Sequence, residues 1–322
     1  MTISRRGLLA AAAAALPLPA IAQVPEGGVI RIIVPFAPGG AGDLVARLVA
    51  ERLDPMLDRR IIVENRGGAG GNIGARAVAA AARDGTTLLM GAANNFTINQ
   101  HLFRNMGFDP VADLAPLGIL ADVPAVILTN AATPARTLTE FVELARARPG
   151  ALNYGSPSVG TTPHLGAELL AREAGIRIEH VPYASAGQAI TALLAGDIQL
   201  YLVGHGPARP HLDSGRVRAL AVAAPERLPT LPDVPTTAEQ GLPRVLSSNW
   251  WGVATTAGTP APTLAWLGAA FDRLAADEAF RARILQMGFV PAAPGREAMA
   301  RRVAAEAATW GEVVRAAGIR VE

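Results

Sequence analysis

Strand-like and helix-like runs alternate along the whole chain and predict an α/β protein of two lobes joined by a hinge. Three observations carry that prediction. Short apolar runs bounded by turn residues alternate with helix-period stretches. Two of the early junctions, "VPFAPGGAGDLVARL" and "VENRGGAGGNIGARAV", pass from strand through glycines into helix. Two long extended passages, "DPVADLAPLGILADVPAVILTN" and "SSNWWGVATTAGTPAP", divide the chain, as expected where one domain is inserted into another and two strands cross between them.

In chain order, strands are expected over Val29–Phe36, Arg60–Glu64, Thr86–Gly91, Ala125–Thr129, Leu152–Gly155, Ile178–Tyr183, Ile198–Val203, Val217–Ala223 and Trp251–Ala254. The first helix has Leu44, Val45, Leu48 and Val49 on one apolar face. Thr137 to Glu140 reads as a capping box opening "LTEFVELARARPG". In "TTPHLGAELLAREAG", Thr162 is the expected N-cap, Pro163 the first helical residue and Gly175 the stop. The resulting division is 1–22 leader, 23–123 with 250–322 as the first lobe, and 124–249 as the second.

The leader reading comes from the twin arginines in "SRRGLL", a short apolar run, and the small-x-small site "AIA" ending at Ala22. That pattern is an export signal, of the Sec or twin-arginine type, too short to span a bilayer. Cleavage after Ala22 leaves about 300 of the 322 residues, enough for two ordinary domains. Loss of Arg5 and Arg6 lowers the 29 basic residues to 27, equal to the 27 acidic ones, so the mature formal charge is zero. No nucleic-acid or membrane-surface footprint follows from such a balance. The chain contains neither Lys nor Cys. That excludes a Walker A lysine, a Schiff base, a thiol nucleophile, a thiolate metal site and disulfides. The five histidines show no ligand spacing, so neither a metal nor a cofactor is expected.

The glycine junctions bear on chemistry. "GGAGGNIG" misses the dinucleotide fingerprint, because Ile73 stands where the third glycine belongs and Asp84 precedes the next strand instead of ending one. Glycines serving tight turns alone would explain each cluster singly, but two clusters after successive strands favour a shared anion cleft. "NYGSPSVGTTPHL" offers the hydroxyls of Ser156, Ser158, Thr161 and Thr162 beside a helix start, a better match to carboxylate binding than to a nucleophile elbow, which requires G-x-S-x-G. Asp43 reads as a loop-orienting carboxylate more than a base. His164 lies too close along the chain for a triad role. His180 reads as a packed strand residue, Tyr183 as edge packing or cleft wall, and His205 in "GHGP" as a residue able to reach a cleft.

Five stretches carry a resemblance: "VPFAPGGAGDLVARLVAERL", "IIVENRGGAGGNIGARAVAAAARDGTTLLMG", "LNYGSPSVGTTPHLGAELL", "HVPYASAGQAITALLAGDIQL" and "GRVRALAVAAPERLPTLPDVPTTAEQGLP". In this order they resemble the solute-binding receptors of tripartite tricarboxylate transporters, the Bug family, across essentially the mature chain. The resemblance implies a two-lobed periplasmic-binding-protein fold of type II character, each lobe a sheet flanked by helices, with a two-strand hinge. It also implies a small carboxylate ligand held by loops of both lobes with bridging water, delivery to membrane permease subunits, a periplasmic location, a monomer and no catalysis. Carried over by position, the first-lobe contacts are Phe36, Ala37, Pro38, Gly39, Gly40 and Asp43, then Ala69 and Gly70, then Asn94 and Thr97. The second-lobe contacts are Ser156, Val159, Gly160, Thr161, Thr162 and His164, with Tyr183 and Ser185. One departure stands out: after "GDIQL" many members continue with an aspartate-containing stretch, whereas this chain reads "YLVGHGPA". The rival functions are an exported hydrolase using Ser156 or Ser158 with a histidine, and a ligand-sensing receptor for a signalling partner.

Overall fold

The computed structural model describes residues 28–293 and 295–320, so the leader expected over 1–22 lies outside the described residues. The chain builds two mixed sheets. Strand β1 (Val29–Val34) pairs in parallel with β2 (Arg60–Asn65) and β3 (Thr87–Ala92). The chain then runs through β4 (Leu114–Asp122) into β5 (Ala125–Asn130), which belongs to the second sheet. There it joins β6 (Asn153–Ser156), β7 (Glu179–Pro182), β8 (Leu200–Gly204) and β9 (Val217–Val222). Strand β10 (Trp251–Thr256) returns to the first sheet, and β11 (Val290–Pro291) ends it. The spatial orders are β11-β4-β10-β3-β1-β2 and β7-β6-β8-β5-β9.

Helices join the strands: α1 (Ala41–Leu57), α2 (Asn72–Ala79), a short α3 (Asn99–Leu102), α4 (Leu138–Ala147), α5 (Thr162–Ala174), α6 (Ala186–Ala195) and α7 (His205–Asp213). Helices α8 (Ala261–Ala276), α9 (Glu278–Gln286) and α10 (Arg296–Ala316) follow β10. Both faces of each sheet are buried, which explains the nearly continuous apolar strands. Along β1, Ile30, Ile32 and Val34 enter one core while Ile33 enters the opposite one. Along β8, Leu200 and Leu202 face one core, and Tyr201 and Val203 the other.

Local signals resolve in detail. Thr137 caps α4 by accepting from the Glu140 amide at 3.1 Å, and the Glu140 carboxylate accepts from the Arg136 amide at 2.6 Å, a reciprocal pair displaced one residue from the standard box. Gly175 ends α5 in the left-handed region, as expected. The N-cap of α5 is Thr161, not Thr162, and its hydroxyl donates to the Ser158 carbonyl at 2.8 Å instead of capping the helix. On α1 the buried stripe runs through Val45, Leu48, Val49 and Leu53, while Leu44 stands at its edge, 49% exposed. Strand β1 stops at Val34, because Pro35 to Gly40 turn outward from the sheet with Gly39 at φ 80°.

The two passages between sheets lie side by side. The Asn249 amide donates to the Val123 carbonyl at 3.1 Å and the Ala125 amide to the Ser247 carbonyl at 2.9 Å. Next to them, the Asp122 carboxylate accepts from Ser248 and from Arg302 of α10. Arg302 also donates to Glu306 at 2.6 Å, and Glu306 accepts from the Trp250 indole at 2.8 Å. A further apolar cluster ties α5 to the first-sheet side, with Leu165 and Leu169 against Leu102, Trp310 and Val314.

Candidate functional site

The carboxyl ends of the parallel strands from both sheets face one cleft of about 730 Å³, the place where open α/β sheets take ligands. From the first sheet come Phe36, Gly40, Ala41 and Gly42 after β1, Gly70 after β2, and Ala92 at the end of β3 with Asn94 beyond it. Leu102, Phe103 and Asn99 add a side wall, and Trp251 stands at the start of β10. From the second sheet come the turn Pro157–Pro163, Ala186 of α6, and the end of β8 from Tyr201 to Gly204. Val123, Ala125 and Asn249 form the floor where the chain crosses.

Among the described residues, no acidic, basic or imidazole side chain lines this cleft. Its electrostatics come from helix starts. The N-cap residues of α1, α5 and α7 are Gly40, Thr161 and Gly204; all three line the cleft, and none is capped by a side chain. The first amides of a helix have no intrahelical acceptor and carry the positive end of its dipole, so an anion there satisfies both.

Supporting contacts lie one layer back. Asp43 is buried and accepts from the Gly39 amide at 2.9 Å and from Arg47 at 3.0 Å; the Arg47 hydrogen bond holds its pKa below the usual carboxylate value. It pins the glycine turn without entering the cleft. The Gly70 carbonyl accepts from three asparagine amides, Asn94 at 2.8 Å, Asn99 at 3.0 Å and Asn95 at 3.1 Å. In the second-sheet turn, the Ser158 carbonyl accepts from the hydroxyls of Ser156 and Thr161, each at 2.8 Å. The Gly160 amide donates to His164 Nδ1 at 2.9 Å, so it is spent inside the turn. The His164 ring stacks on His180 at 3.8 Å, and the Tyr154 ring stacks on His180 at 4.9 Å, its hydroxyl bonded to Glu168. Burial, with the neighbouring His180 second, pushes His164 down to about 3, and burial also lowers His180. His164 therefore stays neutral and keeps the acceptor that the Gly160 amide needs.

Of the residues carried over in the sequence reading, Phe36, Gly40, Gly70, Asn94, Val159, Gly160, Thr161 and Thr162 line the cleft. Ala37, Pro38 and Gly39 belong to the outer side of the first turn, and Ala69 is exposed at a positive φ of 47°. Thr97 is buried, its hydroxyl spent on the Ala93 carbonyl at 2.9 Å. Asp43, Ser156 and His164 sit behind the cleft wall, and Tyr183 and Ser185 line a separate open groove on α6. Ser185 caps α6 through the Gln188 amide at 3.2 Å. His205 does not reach the cleft: it lines a narrow crevice with Pro124, Leu228 and Phe289. Ser156 Oγ lies 2.7 Å from His180 Nε2, but that serine is fully buried under the turn. Ser158 does line the cleft, and no imidazole is among its hydrogen-bond partners in the described residues. The sequence reading missed Trp251, Tyr201, Asn99 and Phe103; only the paired tryptophans beside a crossing strand offered a local signal.

Residues 45–319 match the family model described as tripartite tricarboxylate transporter family receptor. The chain is 31% identical over 312 residues to the protein BugT of Bordetella pertussis, covering 97% of this chain and 96% of that protein. Among solved structures it resembles R. palustris Rpa4515 with adipate, at 32% identity and a TM-score of 0.76, covering 92% of this chain and 99% of that one. It also resembles MatC from Rhodopseudomonas palustris with bound malate, at 33% identity and a TM-score of 0.71, covering 89% and 98%. With a family model spanning most of the chain and relatives matched nearly end to end, the chain belongs to the receptor family of the tripartite tricarboxylate transporters.

Proposed function

We propose that this chain is a periplasmic receptor that closes two lobes around a small carboxylate and delivers it, as a monomer, to the membrane permease subunits of a tripartite transporter. One observation carries the reading. Helix starts from both sheets, at Gly40, Thr161 and Gly204, meet without side-chain caps in a cleft that no charged side chain among the described residues lines. Backbone donors hold a carboxylate without adding fixed charge, and each hydrogen bond to a charged group contributes about 1.5–3 kcal/mol. Adipate and malate in two relatives support the ligand class. The sequence "SRRGLL" to "AIA" supports export and cleavage near Ala22. Among the described residues no helix is long and apolar enough to cross a membrane.

Binding by both lobes makes the crossings at 122–125 and 248–251 the hinge between a first lobe, 23–123 with 250–322, and a second, 124–249. Binding without chemistry is the simplest use of this cleft, because the serine beside an imidazole is buried and the serine in the cleft has no imidazole partner among the described residues. Thermal unfolding of the mature chain against a carboxylate panel tests the proposal. A ligand present at a hundred times its dissociation constant adds about 2.7 kcal/mol of stability and raises the midpoint. A panel in which no carboxylate raises it, or in which the ligand is recovered chemically altered, would overturn the reading.

A further inference from the structure

Helix α5 buries two opposite faces. Ala167, Leu170 and Ala174 pack into the core of its own sheet, as expected of a helix beside a sheet. Leu165 and Leu169, one turn apart, lie on the other face together with Arg172. Both leucines are buried, at 0% and 2% exposure. The apolar residues they cluster with come from the first-sheet side: Leu102 of α3, with Trp310, Val313 and Val314 of α10. Beside this cluster the Arg172 guanidinium donates to the Glu312 carboxylate of α10 at 2.9 Å. Near the start of α5 the two jaws of the cleft touch. An added Cβ at Gly160 would lie 2.5 Å from Leu102 Cδ1, and both residues line the cleft. The cluster is set apart from the strand crossings. Arg302, which donates to Asp122 there, precedes Trp310 on α10 by about 12 Å of helix.

Resting on the two-lobe receptor reading, we propose that this contact is a latch, a dry interface outside the ligand cleft that holds the lobes together before ligand arrives. Opening the cleft about the crossings draws Gly160 away from Leu102, and α5 away from α10. Leu165, Leu169 and Trp310 then meet water, which is unfavourable with or without a ligand. The latch therefore populates the closed state in advance. An apparent dissociation constant rises as the binding-competent fraction falls, so residues that never touch the ligand set part of the affinity. Leu165, Leu169, Arg172, Trp310 and Glu312 are all absent from the cleft wall.

Leu169→Ala in the mature chain tests the latch by small-angle scattering and by calorimetry with adipate and malate. Ligand-free wild type should have nearly the radius of gyration of the ligand-saturated protein. The ligand-free variant should be larger and return to the wild-type radius at saturation, with its dissociation constant raised at least about fivefold. Glu312→Arg is a milder second variant, since both members of the charge pair are largely exposed and the change leaves the apolar cluster intact. It should weaken binding about two- to fivefold at low salt, and Arg172→Glu in the same chain should restore most of the loss. Lower urea stability with unchanged radius and affinity in Leu169→Ala would mark an ordinary core contact and overturn the proposal. A ligand-free wild type as expanded as the variant would overturn it too, while leaving the receptor reading intact. No saturable heat from either carboxylate would count against the receptor reading alone, because the ligand-free radii still decide the latch.

Discussion

Gly42 is the position where one added methyl group should report on the cleft most sharply. It is the second residue of α1, and a Cβ built there would lie 2.2 Å from Cζ3 of Trp251 and 2.7 Å from Cη2. Carbon atoms in contact sit at about 3.5–4.0 Å, so Gly42→Ala forces the indole to move by more than about 1 Å. Overpacking of this kind costs about 1–3 kcal/mol, and the helix preference of alanine over glycine returns at most about 1 kcal/mol. The expected net loss is about 1–2 kcal/mol in urea unfolding, with an unchanged denaturant slope. Trp251 lines the cleft and packs against Phe36, so the same substitution should weaken carboxylate binding at least tenfold. Trp251→Phe in the Gly42→Ala background removes the clashing edge, and the double-mutant cycle should show a favourable coupling of about 1 kcal/mol or more. An unchanged unfolding midpoint with unchanged affinity in Gly42→Ala would refute the close packing of α1 on Trp251 and its place in the binding wall.

Three more outcomes follow from the support layer. His164 has its folded pKa lowered to about 3 from an ordinary 6.5, so below pH 6.5 the unfolded chain binds more protons. Stability should therefore fall with acid across pH 6.5 to 3, by up to about 1.4 kcal/mol per pH unit from this group, with His180 adding in the same direction. Urea midpoints that stay flat from pH 7 to 4 would contradict a buried neutral His164. The double variant Thr161→Ala/Thr162→Ala removes the Thr161 bond to the Ser158 carbonyl and a second hydroxyl at the cleft; it should weaken carboxylate binding at least tenfold, about 1.4 kcal/mol by calorimetry on folded protein. Arg302→Met strands the Asp122 and Glu306 carboxylates beside the crossing strands and should cost about 3 kcal/mol in thermal or urea unfolding, whereas a loss under 1 kcal/mol would mark the cluster as solvent-screened.

Much of the fold is legible in the chain because its signals are local. Glycines end helices, proline and threonine start them, and apolar runs such as "VIRIIV" mark strands buried on both faces. The shape of the cleft is less legible because it depends on contacts distant in sequence. The Gly70 carbonyl is held by Asn99, 29 residues away, and nothing near either residue announces the other. Tyr201 and Trp251 reach the same cleft from different sheets, and only the folded crossing strands bring them to it. Thr161 and Thr162 are adjacent and identical, and only the extended backbone of Thr161 in the folded turn makes it the N-cap. Ser156 reads as a turn hydroxyl and His180 as a packed strand residue; parallel pairing of β6 with β7 brings them together and buries the serine. The strand over Leu114–Asp122 was readable only as an extended passage, because its pairing with β10 is the event that makes it a strand.

The most direct test of the account is a crystal structure of the mature chain grown with the carboxylate that binds most tightly in calorimetry. The account predicts the carboxylate oxygens between the two sheets, within hydrogen-bonding distance of backbone amides in both the Gly40–Gly42 and the Ser158–Thr162 turns. A carboxylate held by one sheet's loops alone, or seated outside this cleft, would contradict it.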